Sequence, residues 1–139
     1  MGAPVALDTG PLVAFLDRND PWHEWVCAQV HELSEPLLTC EAVLSECAHL
    51  TTKSDPASRR LHVMLASGGL RLAFDLNDHL QAIAHLMAKY HDVPMSLADA
   101  CLVRMSELHD RSRIFTLDSD FKLYRRNGRQ AIPLIYPAR

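Results

Sequence analysis

Apolar residues in this chain come in two rhythms, short continuous runs and longer stretches at helical spacing, and the two alternate from one end to the other. The first run, Pro4-Val5-Ala6-Leu7, reads as a short buried strand that stops at a lone acid, Asp8. Thr9-Gly10-Pro11 then turns the chain into Leu12, Val13, Phe15 and Leu16. Those residues predict one or two helical turns, with Pro11 near the start, where its missing N–H costs nothing. Asp20-Pro21 predicts a second helix start, an N-cap followed by proline at the first helical position. Trp22, Trp25, Val26, Val30 and Leu33 carry that helix to about residue 33, and Glu35-Pro36 breaks it.

Leu37-Leu38-Thr39-Cys40 predicts another short strand, followed by a helix over 41–51 with Val43, Cys47 and Leu50 on one stripe. Residues 53–56 read as a loop and 57–67 as a helix closed by Gly68-Gly69. Residues 70–74 alternate as a strand does. Asn77 or Asp78 caps a helix carrying Leu80, Ile83, Leu86 and Met87. Pro94 stops the chain, and Ser96 opens a helix running to about 109. Arg113 to Leu117 is the next strand, Asp118-Ser119-Asp120-Phe121 the turn into a short helix, and 131–136 the last strand. Strands alternating with helices predict the α/β class, a mostly parallel sheet of about five strands with helices on both faces. In such sheets ligands bind outside the carboxyl ends of the strands. Asp8 and Asp118 both fall at that edge.

Composition narrows the class without changing it. At 139 residues, 48% hydrophobic and 22% charged, the chain fits one folded domain and not a disordered one. No apolar run approaches the ~20 residues needed to span a bilayer. Asp8 and Asp17 interrupt any signal-peptide pattern, so a cytoplasmic protein is expected. Cys27, Cys40, Cys47 and Cys101 form no CxxC pair and read as small buried thiols. The eight histidines show no HExxH spacing. A net charge of −3 excludes a generic polyanion binder. The last segment is different: Arg111, Arg113, Lys122, Arg125, Arg126, Arg129 and Arg139 face only Asp118 and Asp120, which predicts a local basic surface.

The acids carry the chemistry. A buried strand has no use for an acid at its end unless something there needs negative charge, although Asp8 also suits a turn before Thr9-Gly10-Pro11. Glu46 lies three residues after Val43 and four before Leu50, on the expected buried stripe. A carboxylate turned toward a core costs several kcal/mol, on the order of a lost buried hydrogen bond or more, unless it is paired or bound to a cation. No base within 41–52 pairs with it, which leaves a distant arginine or a metal. Asp99 completes a capping box with Ser96, a role compatible with ligation. Asp118 ends a strand, and Asp120 caps the helix that follows. Several carboxylates in one crevice repel, and one is protonated unless a cation joins them. Oxygen-only ligands suit Mg²⁺ or Mn²⁺, and such an ion serves phosphodiester hydrolysis. A phospho-accepting receiver domain expects paired acids after its first strand and a lysine after its last. Asp8 stands alone there, and Pro137-Ala138-Arg139 follows the last strand. A phosphatase-type DxD belongs after the first strand, whereas Asp118-Ser119-Asp120 lies near the end.

The Asp8-Thr9-Gly10 opening, Leu44-Ser45-Glu46-Cys47, Ser96-Leu97-Ala98-Asp99-Ala100 and Thr116-Leu117-Asp118-Ser119-Asp120-Phe121, in that order, resemble the PIN domain. The closest branch is the VapC-like toxins of prokaryotic toxin–antitoxin pairs, and the resemblance covers essentially the whole chain. It implies a three-layer α/β/α fold over 1–139 and a metal-dependent endoribonuclease. In that reading Asp8, Glu46, Asp99 and Asp118 hold Mg²⁺ or Mn²⁺, Thr116 supports the site through its hydroxyl, and Asp120 adds an acid. It also implies a homodimer and a separate antitoxin whose tail enters the groove. Gly10 departs from the pattern, since many relatives carry serine or asparagine there, and this bears on catalytic rate, not fold. RNA phosphates then fall to Lys122, Arg125, Arg126 and Arg129, whose alternative is a solvated helix face. The rival function is a PIN-like scaffold that binds RNA or a protein without cutting.

Overall fold

The central strand explains the first apolar run. Residues Val5–Leu7 are buried along their whole length, so the strand has no solvent face and no polar alternation. The computed structural model describes residues 3–34 and 36–138; Glu35 of the expected break and Arg139 of the basic segment lie outside them. In chain order the elements are β1 (Val5–Leu7), α1 (Thr9–Leu16), α2 (His23–Glu32), β2 (Leu37–Thr39), α3 (Glu41–Leu50), α4 (Asp55–Ser67), β3 (Leu70–Leu72), α5 (Leu80–Lys89), α6 (Leu97–Leu108), β4 (Arg113–Phe115), β5 (Arg125–Arg126), β6 (Gln130–Ala131) and β7 (Leu134–Ile135). Short 3-10 helices occupy Leu76–His79 and Ser119–Lys122.

Five strands form one parallel sheet in the order β3-β2-β1-β4-β7, flanked by the helices in three layers. The chain starts in the middle, walks outward through β2 and β3, and returns on the other side through β4 and β7. The order therefore reverses between β1 and β4, and a crevice opens beyond the carboxyl ends of strands at such a switch point. Leu7 pairs with Phe115, and the Asp8 amide donates to the Phe115 carbonyl at 2.9 Å. This register sets Asp8 beside Thr116. Helix α6 packs on β1 and β4, and α1 packs on α2, α3 and α4. Leu12, Leu16, Val43, Leu102, Ile114 and Phe115 are fully buried between them. Each such side chain contributes roughly 1.5–3 kcal/mol, which holds the site's strands against their helices. All four cysteines are free thiols; Cys40, Cys47 and Cys101 are buried as expected, whereas Cys27 is partly exposed. Among the described residues no helix is long and apolar enough to cross a membrane.

Several boundaries differ from the sequence expectations. Helix α2 begins at His23, because the Asp20 carboxylate takes the Trp22 amide at 2.8 Å and forms a tight turn first. Helix α4 begins at Asp55, capped by Ser54, so half of the expected loop is helical. Before α5 the capping acid is Asp75, accepting from the Asn77 amide, and the turn it caps is 3-10. The expected single strand over 131–136 is divided. Pro133 has no amide to donate, so β6 ends before it and pairs antiparallel with β5, while β7 joins the main sheet. The β5–β6 turn uses Asn127 and Gly128 at φ 52° and 84°. Asn-Gly between two short runs is a hairpin signal that a helix-face reading of the arginines had hidden.

Candidate active site

Asp8 is only 7% exposed, and both its oxygens are held. Oδ1 accepts from the Thr9 amide at 2.8 Å, and Oδ2 accepts from the fully buried Thr116 hydroxyl at 2.7 Å. Thr116 Oγ1 donates to the carboxylate and accepts in turn from the Asp118 amide at 2.9 Å. A relay from the end of β4 therefore points a hydroxyl proton at the acid that ends β1. Thr116 thus holds the Asp8 carboxyl through its hydroxyl. Burial raises the Asp8 carboxyl to about pKa 6 against the lowering effect of these two hydrogen bonds, and the nearby Asp99 and Asp118 raise it further.

The other acids reach the same place by different routes. An open crevice of about 660 Å³ is lined by Asp8, Glu46, Asp99, Asp118 and Asp120, with Gly10 in its wall. Asp99 sits in the capping box of α6: Ser96 Oγ accepts its amide at 3.0 Å, and its Oδ2 accepts the Ser96 amide at 3.5 Å. Burial raises the Asp99 carboxyl as well. Asp118 caps the 3-10 helix through Oδ1, accepting from the Asp120 amide at 2.9 Å, so the cap is Asp118 and not Asp120. Each of these carboxylates keeps lone pairs for another partner, since a carboxylate offers about four acceptor sites.

Glu46 corrects an expectation. It is exposed, not buried, and Leu50 is 62% exposed, so the buried stripe of α3 is Val43 and Cys47 alone. Glu46 therefore bears no desolvation penalty that demands a partner. The Thr9 hydroxyl brings it to the crevice, donating to Glu46 Oε1 at 2.7 Å. Thr9 ties Asp8 and Glu46 together through its amide and its hydroxyl, and its role was not foreseen. The same is true of Tyr124, which is fully buried and donates its hydroxyl to Asp99 Oδ2 at 2.8 Å. Among the described residues, no three acidic, histidine or cysteine side chains stand close enough to grip one ion directly.

The basic residues do not form the expected surface. Arg126 is buried and donates to the carbonyls of Ser106 at 3.0 Å and Asp110 at 2.6 Å, capping the end of α6. Its guanidinium is turned inward to these carbonyls and not to the expected basic surface. Arg125 gives one guanidinium nitrogen to the carbonyls of Lys122 and Tyr124 and lines a separate groove against α5. Arg129 is exposed in the hairpin turn, away from the crevice lining. Lys122 alone stands at the rim, its ammonium 4.2 Å from the centre of the Tyr136 ring, which lines the crevice.

Residues 5–127 match the PIN domain family. Ribonuclease VapC26 of Mycobacterium tuberculosis is 27% identical over 116 residues, spanning 82% of this chain and 86% of that protein. The crystal structure of Mycobacterium tuberculosis VapC20, described as a sarcin–ricin loop cleaving toxin, superposes with a TM-score of 0.75. That match covers 86% of this chain and 93% of VapC20 at 16% identity, a likeness of fold. With the match over residues 5–127, the chain belongs to the PIN domain family.

Proposed function

We propose that this chain is an endoribonuclease, hydrolysing RNA phosphodiesters with Mg²⁺ or Mn²⁺, and the toxin of a type II toxin–antitoxin pair. The observation that carries this is the convergence of Asp8, Glu46, Asp99 and Asp118, from four separate segments, on one open crevice at the switch point of a PIN domain. The likeness to a protein named as a ribonuclease supports the same reading. The donor set fits a hard divalent cation, because it offers only oxygens and the charges of Asp99 and Asp118 raise the proton affinity of Asp8. Among the described residues no three such side chains grip an ion directly, so an ion held here would keep several of its waters, as Mg²⁺ does. When bound, such an ion supplies a nucleophilic water at neutral pH and offsets the charge that develops at phosphorus.

The chain's own residues do the positioning. Thr9 and Thr116 stop Asp8 from swinging, and Thr9 holds Glu46 across from it. Asp118 and Asp120 extend the acidic wall beside β4. Lys122 at the rim takes an RNA phosphate, and Arg129 is left as a second, more distant contact. The whole chain works as one PIN domain, in the cytoplasm with its RNA, as a homodimer. A separate antitoxin inhibits it by placing its tail in the crevice. Cleavage of an RNA oligonucleotide that requires Mn²⁺ and stops with a chelator tests the activity. Asp8→Asn should remove cleavage and leave the circular dichroism spectrum unchanged. Undiminished cleavage by that variant takes Asp8 out of the mechanism, and Mn²⁺ binding without cleavage selects the non-cutting scaffold.

A further inference from the structure

We infer that Tyr124 is a positioning residue for Asp99, fixing which carboxylate oxygen faces the crevice and its cation; this rests on the metal-dependent reading above. The Tyr124 hydroxyl donates to Asp99 Oδ2 at 2.8 Å, and the Ser96 amide reaches the same oxygen at 3.5 Å. The Ser96 hydroxyl, which accepts the Asp99 amide at 3.0 Å, also lies against the carboxyl. The tyrosine and the Ser96 amide thus share one oxygen. The tyrosine's bond is much the shorter of the two, so it holds that oxygen more firmly.

The tyrosine is itself immobile. Its ring is fully buried, with Phe121 at 5.2 Å and Tyr90 at 5.0 Å between centroids, both edge-on. The Tyr90 hydroxyl accepts from the Arg125 amide at 2.9 Å and locks the backbone next to Tyr124. The same hairpin segment holds α6 at its far end, where Arg126 donates to the Ser106 carbonyl and the Asn127 amide donates to Glu107 Oε2 at 2.7 Å. Residues 118–127 thus grip α6 near both ends, and Tyr124 is the contact at the end that carries Asp99. Outer residues that orient a metal-binding carboxylate typically change metal affinity 10- to 100-fold when removed.

Tyr124→Phe keeps the buried ring and removes only the hydroxyl. Tyr90→Phe, in the same cluster, removes a hydroxyl that never touches Asp99. Mn²⁺ titration of the RNA-free proteins, followed by electron paramagnetic resonance, is the measurement. Tyr124→Phe should weaken Mn²⁺ binding about tenfold or more. Tyr90→Phe should bind as the wild type does, with both variants showing wild-type near-ultraviolet circular dichroism. Wild-type affinity in Tyr124→Phe overturns the positioning role while leaving the ribonuclease reading intact. Equal weakening in both variants also overturns it, since the cluster then acts only through the fold. Failure of the wild-type protein to bind Mn²⁺ overturns the metal-dependent reading, and the role of Tyr124 falls with it.

Discussion

Asp8 and Thr116 are 108 positions apart and share a 2.7 Å hydrogen bond, whereas Arg125 and Arg126 are neighbours with unrelated tasks. Asp8, Asp99 and Asp118 meet because each follows a strand or opens a helix at the same edge of a parallel sheet, and Glu46 joins them from the body of α3. The bases are crowded into one short segment, and the hairpin turns them in different directions. One seals the end of α6, one caps the 3-10 turn, one stands in the hairpin turn, and only Lys122 reaches the crevice rim. Position in the topology, not proximity in sequence, decides which charges act together.

A large effect expected from this contrast is on the acidic side, in stability against pH. The Asp8 carboxyl is raised from 3.8 to about 6, so the folded protein holds that proton more tightly than the unfolded chain does. The resulting stabilisation is complete below the unfolded pKa and is lost as pH rises through about 6. At pH 7.5 the metal-free protein therefore carries a cost of about 3 kcal/mol, from roughly 1.4 kcal/mol per pKa unit. Asp8→Asn cannot ionise and escapes that cost, less roughly 1 kcal/mol for a hydrogen bond that the amide nitrogen cannot accept. Urea denaturation without metal should show the variant about 2 kcal/mol more stable at pH 7.5, the difference vanishing toward pH 4. A variant less stable than wild type at pH 7.5 breaks the picture of strained, collected acids.

A paired substitution tests the basic side. Arg126→Ala removes the donor to the α6 carbonyls and should cost roughly 2–3 kcal/mol in urea denaturation, with RNA affinity unchanged. Lys122→Ala should behave in the opposite way, changing stability by about 0.5 kcal/mol at most. Its RNA affinity should fall, with the slope of log K against log salt shallower by about 0.7 for a single strand. If Arg126→Ala alone flattens the salt slope, its guanidinium does meet phosphate and the division of labour fails.

How far each side could be read in the sequence follows from the same contrast. Asp8, Asp99 and Asp118 were legible because strand ends and a capping box are local patterns, and parallel topology brings such ends together. Glu46 was found for a reason that the structure removes: it is exposed, and a hydroxyl from Thr9 holds it at the crevice. Thr9 itself was hidden as turn chemistry. Tyr124 was hidden because its bond to Asp99 spans 25 positions and depends on how the 3-10 turn packs against α6. The burial of Arg126 was hidden because adjacent arginines look solvated until a helix end with unpaired carbonyls is placed beside them. Local pattern finds the groups that end elements; it does not find the groups that hold them.

Gly10 is where the smallest effect is expected and where the acidic side can be sharpened. It lines the crevice within α1, two residues after Asp8. A Cβ built there meets Leu117 Cβ and Cδ1 at 3.6 Å, which is ordinary contact, so steric crowding does not require the glycine. Gly10→Ser should raise stability by about 0.5 kcal/mol, since glycine is the costlier residue inside a helix. The new hydroxyl would enter the crevice wall beside Asp8, able to hold a water near the cation. A higher kcat with KM unchanged, measured on one RNA oligonucleotide at saturating Mn²⁺, is the expected outcome. An unchanged kcat in a folded, slightly more stable variant shows that the four acids and their two threonines already define the site, and that the glycine costs it nothing.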